Sequence, residues 1–343
     1  MAAQQGASTA SAMALFDLIA SHRITAVVYV AVRLGVTDCL AEGPRTAREL
    51  AHRTHAHERS LQRLLRALVT IGVCRQVGQE QFELTSVGGH LAGSAEQSLK
   101  AWVLFEGELL SRSWSGLLDS IRTGKTAAEL AGTDDSFDLM AQNPERVKVF
   151  NEAMVALTRH VIPGVLSAYD FSPIGRLIDV GGGYGELLCA ILKAYPSMRG
   201  AIYDLPRCAE GANKYLSEAG LSGRGEFISG SFFESVPTGA DAVIMKSIVH
   251  DWDDARSIKI LQNCRQALTQ RGKLLLVERI MPETPDADTE HCSVALSDLN
   301  MLRGPGGSER TEREYRELLS KSGFKMTRVL AAGRSNVIEA MVG

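Results

Sequence analysis

Apolar positions predict helices in the first half of the chain and alternating strands and helices in the second. Residues 12–40 predict two apolar helices, and the second, at about 26–34, has almost no polar face. A helix of this kind has to be covered all round, by its own domain or by a second subunit. We therefore expect a homodimer.

The next segment predicts a winged helix. Thr46 with Glu49 marks a capped helix start, and a second helix carries one apolar stripe of leucines at positions 61, 64, 65 and 68. Gly72 ends that helix, and residues 74–84 predict a hairpin. A winged helix either binds DNA or joins subunits. Glutamates lie among the arginines of this segment and reduce its positive charge, which favours a role in joining subunits. We expect no nucleic-acid partner.

From Leu91 to Leu166 the pattern is helical throughout, and residues 172–175 interrupt it. Beyond them, strands are predicted at 200–204, 225–229, 241–247 and 273–277, and a closing hairpin at 324–330 and 336–341. This alternation predicts an α/β fold with a doubly wound parallel sheet and one antiparallel edge. We divide the chain into an N-terminal domain 1–100, a helical substrate-lining connector 101–170 and a catalytic domain 171–343.

Composition limits the cellular setting. The chain is 45% hydrophobic and 22% charged, with a net charge of −3, as in ordinary soluble proteins. Its six cysteines form no CxxC pair, which predicts reduced thiols, no zinc site and a cytoplasmic protein. Charged and polar residues interrupt the apolar 13–40 stretch, so we expect neither a signal peptide nor a membrane partner.

The stretch Arg176–Glu186, RLIDVGGGYGE, organises the second half of the chain. A buried strand ends in glycines, including Gly181 and Gly183, whose bare backbone can approach a ligand at the start of a helix. The spacing is not GxGxxG, because Glu186 holds the position of the last glycine. With Asp179 supplying negative charge, this favours a cationic nucleoside such as S-adenosylmethionine over a pyrophosphate.

Further candidate residues lie at the carboxyl ends of the later strands, where such sheets bind ligands. Asp204 follows the second strand, where an acid can bind both ribose hydroxyls; the alternative is a helix cap. Ser231 and Phe232 follow the third strand, where an adenine could lie against an aromatic ring.

His250 follows the fourth strand and is a candidate general base, expected to be mostly neutral at pH 7. A carboxylate would fix its tautomer, and Glu278 and Glu309 are both candidates. The alternative is a histidine that merely caps the next helix.

These residues resemble the S-adenosylmethionine-dependent O-methyltransferases of the plant caffeate and isoflavone type and their bacterial natural-product relatives. The motifs LIDVGGGYG, YDLP, GSFF, DAVIMKSIVHDWDD, LLLVERIMP and DLNMLRGPGGSERTEREY carry the resemblance over nearly the whole chain. It implies a winged-helix-like dimerisation domain before a Rossmann-type catalytic domain. It also implies Gly181 and Asp204 on the cofactor, Lys246 near its adenosine, and His250 as base between Glu278 and Glu309. Met154 and Met301 match positions that sandwich a flat substrate.

Two positions depart from the family pattern. Ser231 stands where the family usually has Asp, which removes a strong acceptor for the adenine. Gly304 replaces a larger polar residue that contacts substrate in plant members, so the plant substrates do not carry over.

The resulting hypothesis is methyl transfer from S-adenosylmethionine to a hydroxyl of a small aromatic, with S-adenosylhomocysteine as product and no metal. The alternatives are a relative that uses the same cofactor for hydroxylation or decarboxylation, and a winged-helix regulator with a vestigial ligand domain. The presence of His250 with both glutamates argues against the first alternative, and the complete catalytic set and the acidic pI argue against the second.

Overall fold

The computed structural model describes residues 2–133, 140 and 142–343, with side chains from residue 11 onward. The chain forms two compact units, Met1–Arg112 and Ser113–Gly343. Their boundary lies within the segment 101–170 that the sequence analysis set apart as a connector. The three-part division stays a prediction.

The first unit is mainly helical. Its short strands β1 (Arg45–Thr46), β2 (Cys74–Val77) and β3 (Gln81–Leu84) form an antiparallel sheet in the order β1-β3-β2. The predicted capping box is present, since the Thr46 hydroxyl accepts from the Glu49 N–H and the Glu49 carboxylate accepts from the Thr46 N–H. The helices and helical turns are Ala2–Ala20, His22–Arg33, Val36–Ala41, Ala47–Thr54, Glu58–Thr70, Ser86–Gly89, Lys100–Phe105, Glu106–Leu110 and Ser111–Ser113.

The two N-terminal helices leave apolar side chains in solvent. Leu18 is 71% exposed, and the other large exposed residues of these helices include Met13, Leu15, Phe16, Ile19 and Ile24. By length and composition alone, Ser11–Arg33 is apolar enough to cross a membrane, with a mean hydropathy of 1.5. One such stretch is weak evidence for a span, and an apolar helical face left open is also what a subunit interface requires.

Seven described strands of the second unit form one sheet in the order β6-β5-β4-β7-β8-β10-β9. The strands β4, β5, β6, β7 and β8 pair in parallel, and β10 is antiparallel to both β8 and β9. The predicted parallel sheet with an antiparallel C-terminal edge is thus confirmed. The strands are Arg176–Val180, Arg199–Asp204, Gly225–Ser229, Ala240–Lys246, Leu268–Glu278, Phe324–Ala332 and Ser335–Val342, β4 to β10 in chain order.

Helices cover both faces of this sheet, and two apolar clusters fill the space between. The described helices of this unit are Leu117–Thr123, Ala127–Leu130, Pro144–Ala168, Glu186–Ala194, Ala209–Glu218, Asp254–Ala267, Thr289–Arg303 and Glu312–Lys321, with shorter helical turns at Trp114–Gly116, Pro206–Cys208 and Val249–Asp251. The helical character expected from 91 to 166 is present in the described residues as several separate helices. Gly124, in the left-handed region at φ 70°, ends one helix, and Thr126 caps the next.

A buried carboxylate ties the antiparallel edge of the sheet together. Glu339 of β10 is 5% exposed and accepts hydrogen bonds from Tyr169 at 2.7 Å, Thr327 at 2.8 Å, and Arg328 and Lys273 at 3.0 Å. Burial raises the pKa of Glu339, but these hydrogen bonds outweigh it and lower the pKa to about 2. A carboxyl group whose pKa is lower in the folded protein stabilises the fold fully at pH values above its unfolded pKa. That stabilisation is lost as the pH falls through its folded pKa.

We expect Glu339→Gln to lower the free energy of unfolding by about 1–3 kcal/mol at pH 7. The expected loss is kept small because Arg328 is half exposed and solvent screens its interaction with Glu339. The loss should shrink to less than half at pH 3, where the unfolded carboxyl is already protonated. Urea unfolding at both pH values measures this. Glu317→Gln, in an exposed helical pair with Arg313, is the matched control. Equal losses at the two pH values would contradict the account.

Candidate active site

The glycine turn after β4 exposes bare backbone. Gly183 has φ 57°, a conformation that L side chains rarely adopt, and a Cβ added there would meet nothing within 4 Å. Gly185 has φ 82°, and a Cβ there would lie 2.1 Å from the Ile202 side chain. The turn therefore packs closely against β5 on one side and is open at Gly183. The helix Glu186–Ala194 starts directly after it.

Two acids lie under this turn. Asp204, at the end of β5, accepts from the backbone N–H of Gly183 at 2.7 Å and of Leu205 at 2.6 Å. Burial raises the pKa of Asp204. Burial also raises the pKa of Asp179 to about 7, against the opposing charge of Lys246. Buried carboxyl groups beside an open backbone fit a ligand that carries hydroxyls and positive charge, because such a ligand would favour their ionised forms.

Ser231 and Phe232 lie beside the same turn. A Phe232 ring carbon is 3.6 Å from the position of a Cβ on Gly181, which places the aromatic next to the glycines. Phe232 packs edge-on against Phe233, with ring centroids 4.9 Å apart. The Ser231 hydroxyl accepts from the Phe233 N–H at 3.3 Å. A serine hydroxyl at this position can contact a ligand but brings no charge.

Lys246 ends β7 and points its ammonium toward Ser247 Oγ, 3.3 Å away. Burial lowers the pKa of Lys246, opposed by the charges of Glu278 and Asp179. Ser247 itself has φ 54°, an uncommon conformation for a residue other than glycine. Backbone strain of this kind tends to persist where surrounding structure holds a functional site.

His250 sits in the short turn Val249–Asp251 after β7 and is hydrogen-bonded to Glu309. Its Nδ1 is 3.0 Å from Glu309 Oε1, and the Ser297 hydroxyl donates to that same oxygen at 2.6 Å. The Glu309 N–H donates to Asp298 at 2.8 Å. Because a carboxylate accepts, Nδ1 carries the proton in the neutral ring, and Nε2 is then the nitrogen left to act on a ligand. The nearest acid to Nε2 is Asp251, at 3.6 Å.

Glu278 makes different contacts from Glu309. Its Oε1 accepts from the backbone N–H of Ile248 at 3.0 Å and of Val249 at 2.9 Å. Its Oε2 lies 3.8 Å from His250 Nδ1, beyond hydrogen-bond distance. The sequence left the two glutamates as equal candidates. The structure gives the hydrogen bond to Glu309 and makes Glu278 an anchor for the backbone of the turn.

The surroundings of His250 favour its charged form, whereas the sequence led us to expect a mostly neutral ring at pH 7. Burial lowers the pKa of His250, but the charges of Glu278 and Asp251 and the hydrogen bond to Glu309 raise it to about 10. Burial raises the pKa of Asp251 to about 7 and also raises that of Glu278. Burial also acts to raise the pKa of Glu309, but the hydrogen bond with His250 outweighs this effect and lowers the pKa. The sequence predicted Glu278 and Glu309 as partners of His250 but not the combined effect of three acids on its pKa.

The two methionines assigned to the substrate lie on different helices. Met154 is half-buried on Pro144–Ala168, and Met301 is buried on Thr289–Arg303, one turn after Ser297. Their joint position around a substrate stays a prediction. Gly304 ends the second helix, and a Cβ there would lie 2.8 Å from the Asn300 carbonyl oxygen. The backbone therefore disfavours a side chain at this departure from the family pattern.

Several residues near the site escaped the sequence reasoning. Arg159 pairs with Glu186 at 2.9 Å, at the start of the helix after the glycine turn. Asp251 lies 3.6 Å from His250 Nε2, and the Ser297 hydroxyl donates to Glu309. The sequence could have identified Asp251, since it directly follows His250. No sequence pattern identifies Arg159, because its partner Glu186 is distant in sequence.

Within the described residues, one group offers three metal-ligating atoms within 4.8 Å of one another: Asp286, Asp288 and His291. The two acids are exposed, and Asp288 caps the helix Thr289–Arg303 by accepting from the N–H of Glu290 and His291. No residue that contacts His250 belongs to this group. Capping accounts for Asp288 without an ion.

Comparison with protein families agrees with this arrangement. Residues 114–325 match the O-methyltransferase domain, and residues 16–94 match the O-methyltransferase dimerisation domain. The chain belongs to the S-adenosylmethionine-dependent O-methyltransferase family. Its fold is the α/β methyltransferase fold with an N-terminal helical dimerisation domain. That domain includes most of the apolar Ser11–Arg33 stretch.

Named relatives act on varied aromatic molecules. The phenazine O-methyltransferase of Lysobacter antibioticus is 39% identical over 95% of each chain. The mitomycin biosynthesis 6-O-methyltransferase of Streptomyces lavendulae is 36% identical over 90% of this chain and 88% of that one. An 8-amino-8-demethylriboflavin N,N-dimethyltransferase from Streptomyces davaonensis is 32% identical over 94% and 93%.

Solved structures agree as well. An O-methyltransferase from neocarzinostatin biosynthesis, in complex with S-adenosylmethionine and 2-hydroxy-5-methyl naphthoic acid, superposes with a TM-score of 0.78. It is 30% identical, over 93% of this chain and 96% of that one.

Proposed function

We propose that this enzyme methylates a hydroxyl of a small aromatic natural product, with His250 as general base. The observation that carries the proposal is the His250–Glu309 hydrogen bond at 3.0 Å. In the neutral ring this bond keeps the proton on Nδ1 and leaves Nε2 to accept one, in a turn at the same edge of the sheet as the glycine turn. The relatives that methylate phenazine and mitomycin compounds support an aromatic acceptor.

The proposed cofactor site divides among four strand ends, those of β4, β5, β6 and β7. We propose that Gly181, Gly183 and Asp179 face the methionine part, Asp204 binds the ribose, and Ser231, Phe232 and Lys246 surround the adenosine. When bound, S-adenosylmethionine supplies a methyl group on a positively charged sulfur. We propose that the reaction proceeds without a metal.

His250 removes the proton that makes the acceptor a poor nucleophile. A phenol with a pKa near 10 is almost wholly protonated at pH 7. His250 Nε2 would take that proton and so leave the acceptor oxygen nucleophilic. Bound S-adenosylmethionine would supply the methyl group, and its sulfur would leave with the bonding pair as the neutral thioether of S-adenosylhomocysteine. A base whose pKa is raised to about 10 is well matched to a phenol, but it must first lose its own proton. The rate should therefore rise with pH, with a midpoint above that of an ordinary histidine.

The test uses purified protein with methyl-labelled S-adenosylmethionine and a panel of phenols, phenazines, quinols and aromatic amines. We expect label on the oxygen of a hydroxyl-bearing aromatic and release of S-adenosylhomocysteine. Label only on nitrogen would replace the proposal with N-methylation, which the riboflavin relative makes the second candidate. Consumption of the cofactor without a methylated product, or oxidised or decarboxylated products, would support the hydroxylation or decarboxylation alternative.

We also propose a homodimer joined through the N-terminal unit. The exposed apolar residues of Ser11–Arg33 lie largely within the match to the dimerisation domain. Covering them with a second copy removes an apolar patch that would otherwise cause aggregation. We place the enzyme in the cytoplasm, with neither membrane nor nucleic acid as a partner.

Removing the charge of Glu278 should move the pH profile to lower pH. Among the groups that raise the pKa of His250, Glu278 comes first. Glu278→Gln keeps an oxygen for the N–H groups of Ile248 and Val249, so the turn should survive. We expect the midpoint of kcat/KM against pH to fall by at least about one unit. Glu283→Gln, in an exposed pair with Arg313, is the control. An unmoved midpoint would contradict this electrostatic account.

Restoring the family acid at Ser231 should tighten cofactor binding. A carboxylate is a stronger acceptor for the adenine amine than a hydroxyl. We expect Ser231→Asp to gain on the order of 1 kcal/mol, as for a typical hydrogen bond. Calorimetric titration with S-adenosylhomocysteine measures it, with Ser231→Asn as the uncharged control. Equal or weaker binding by Ser231→Asp would mean that the adenine is held differently here.

A further inference from the structure

An arginine binds the backbone on both sides of His250. Arg310 is only 3% exposed, although arginine is rarely buried without partners. Its guanidinium donates to the carbonyl oxygen of Val249 at 2.9 Å and of Trp252 at 2.8 Å. These residues flank the pair His250–Asp251. One rigid, planar group therefore sets the distance between the two ends of the turn.

The same guanidinium is itself held in place. Asp254 Oδ1 accepts from Arg310 Nε at 3.1 Å and from Nη2 at 3.0 Å. The Ser257 hydroxyl also donates toward the carbonyls of Val249 and Trp252, at 3.3 Å and 3.2 Å. Arg310 thus links the His250 turn to the start of the helix Asp254–Ala267.

Gly307 closes the other side of the turn. A Cβ on Gly307 would lie 2.1 Å from the His250 carbonyl oxygen and 2.4 Å from the Asp251 carbonyl carbon. Backbone therefore lies against backbone, and no side chain fits without a shift. Between Gly307 and Arg310 stands Glu309, which binds the His250 ring. One short segment contacts both the ring and the main chain of the proposed base.

We propose that Arg310 is a positioning residue that holds His250 Nδ1 on Glu309 and Nε2 toward the acceptor. The proposal rests on the proposed role of His250 as base. Arg310 acts through the backbone of the turn and has no contact with the reacting atoms. Among the described residues, the Ser257 hydroxyl also donates to both carbonyls, and the Trp252 N–H donates to that of Val249 at 3.3 Å. Arg310 is the described side chain that joins both carbonyls to Asp254.

Arg310→Lys tests the proposal with the charge retained. One ammonium on a flexible stem cannot reach two carbonyls and Asp254 in the fixed geometry of a guanidinium. We expect kcat to fall on the order of 10²-fold, the cost of a displaced catalytic group, with cofactor affinity unchanged. The control is Arg316→Lys on the following helix, where Arg316 is exposed and pairs with Glu312. It should behave as the wild type.

A second readout does not depend on catalysis. The His250 ring signals can be followed by NMR against pH and are identified by their absence in His250→Gln. We expect a pKa of about 10 in the wild type. In Arg310→Lys it should fall toward the ordinary 6.5, because the ring moves away from its acids. If His250→Gln kept full activity, the base role would fail while this titration still tested positioning.

Gly307→Ala gives an independent variant, since it pushes the turn without touching the guanidinium. We expect the same fall in the His250 pKa and a loss of kcat. If Arg310→Lys does not fold, Gly307→Ala alone decides. A wild-type titration in either folded variant, with only a lower melting temperature, would show a merely structural role and overturn the proposal.

Discussion

His250→Gln should lower the turnover of the enzyme by about 10²–10⁴-fold at neutral pH, the usual worth of a positioned general base. Glutamine is similar in size and can still accept from or donate to neighbours, but it cannot take a proton. Cofactor affinity should stay at the wild-type value, because the ring is hydrogen-bonded to Glu309 and not to the glycine turn. Steady-state kinetics and calorimetric titration measure the two quantities separately.

The pH profile adds a second expectation for the same variant. The wild-type rate should rise with pH to a midpoint above 6.5, since the free-protein pKa of His250 is raised. The variant should lose that rise. Glu309→Gln should show a smaller loss of rate, because it disturbs the tautomer but leaves the base in place. A variant that keeps the wild-type profile would make proximity, and not base catalysis, the source of the rate.

Removing residues 1–40 should give aggregated or inactive protein. The deletion takes away the exposed apolar helices and also Ala31, Val32, Val36 and Leu40, which belong to the buried core of the N-terminal unit. Losing several fully buried side chains costs about 2–5 kcal/mol for each large one. Light scattering and a methyl-transfer assay measure the outcome. Soluble, fully active truncated protein would contradict it.

A milder change separates the interface from the core. Leu18→Glu with Ile19→Glu places charges on the exposed face, where the side chains are 71% and 67% exposed. We expect a dimer mass for the wild type and a monomer mass for this variant at micromolar concentration. Val87→Glu, also on an exposed apolar residue of this unit, is the control and should stay dimeric. A monomeric wild type would refute the dimer outright.

The fold was predictable from sequence where patterns are local. Strands buried on both faces gave continuous apolar runs, and the Thr46 cap and the Gly72 stop marked helix ends. The helical character of 91–166 was predictable too, but not the end of one helix at Gly124 and the start of the next at Thr126. The exposed N-terminal face was predictable in kind, since a helix without a polar side must be covered.

The site was predictable as a set of residues and not as a set of contacts. Strand ends brought Asp179, Asp204 and His250 to one edge of the sheet, as parallel topology requires. The choice between Glu278 and Glu309 depended on side-chain geometry that spacing does not encode. The raised pKa of His250 and the Arg310 contacts depend on burial and on partners distant in sequence, so no local pattern carried them.

The most direct test compares wild type and His250→Gln on two acceptors of similar shape, one with an ordinary phenol and one with a hydroxyl acidic enough to be ionised at pH 7. An ionised acceptor needs no base. The account predicts a wild-type-to-variant rate ratio of about 10²–10⁴ for the ordinary phenol and less than about tenfold for the acidic one. The same ratio for both acceptors would show that His250 only shapes the pocket, and would contradict its assignment as the base.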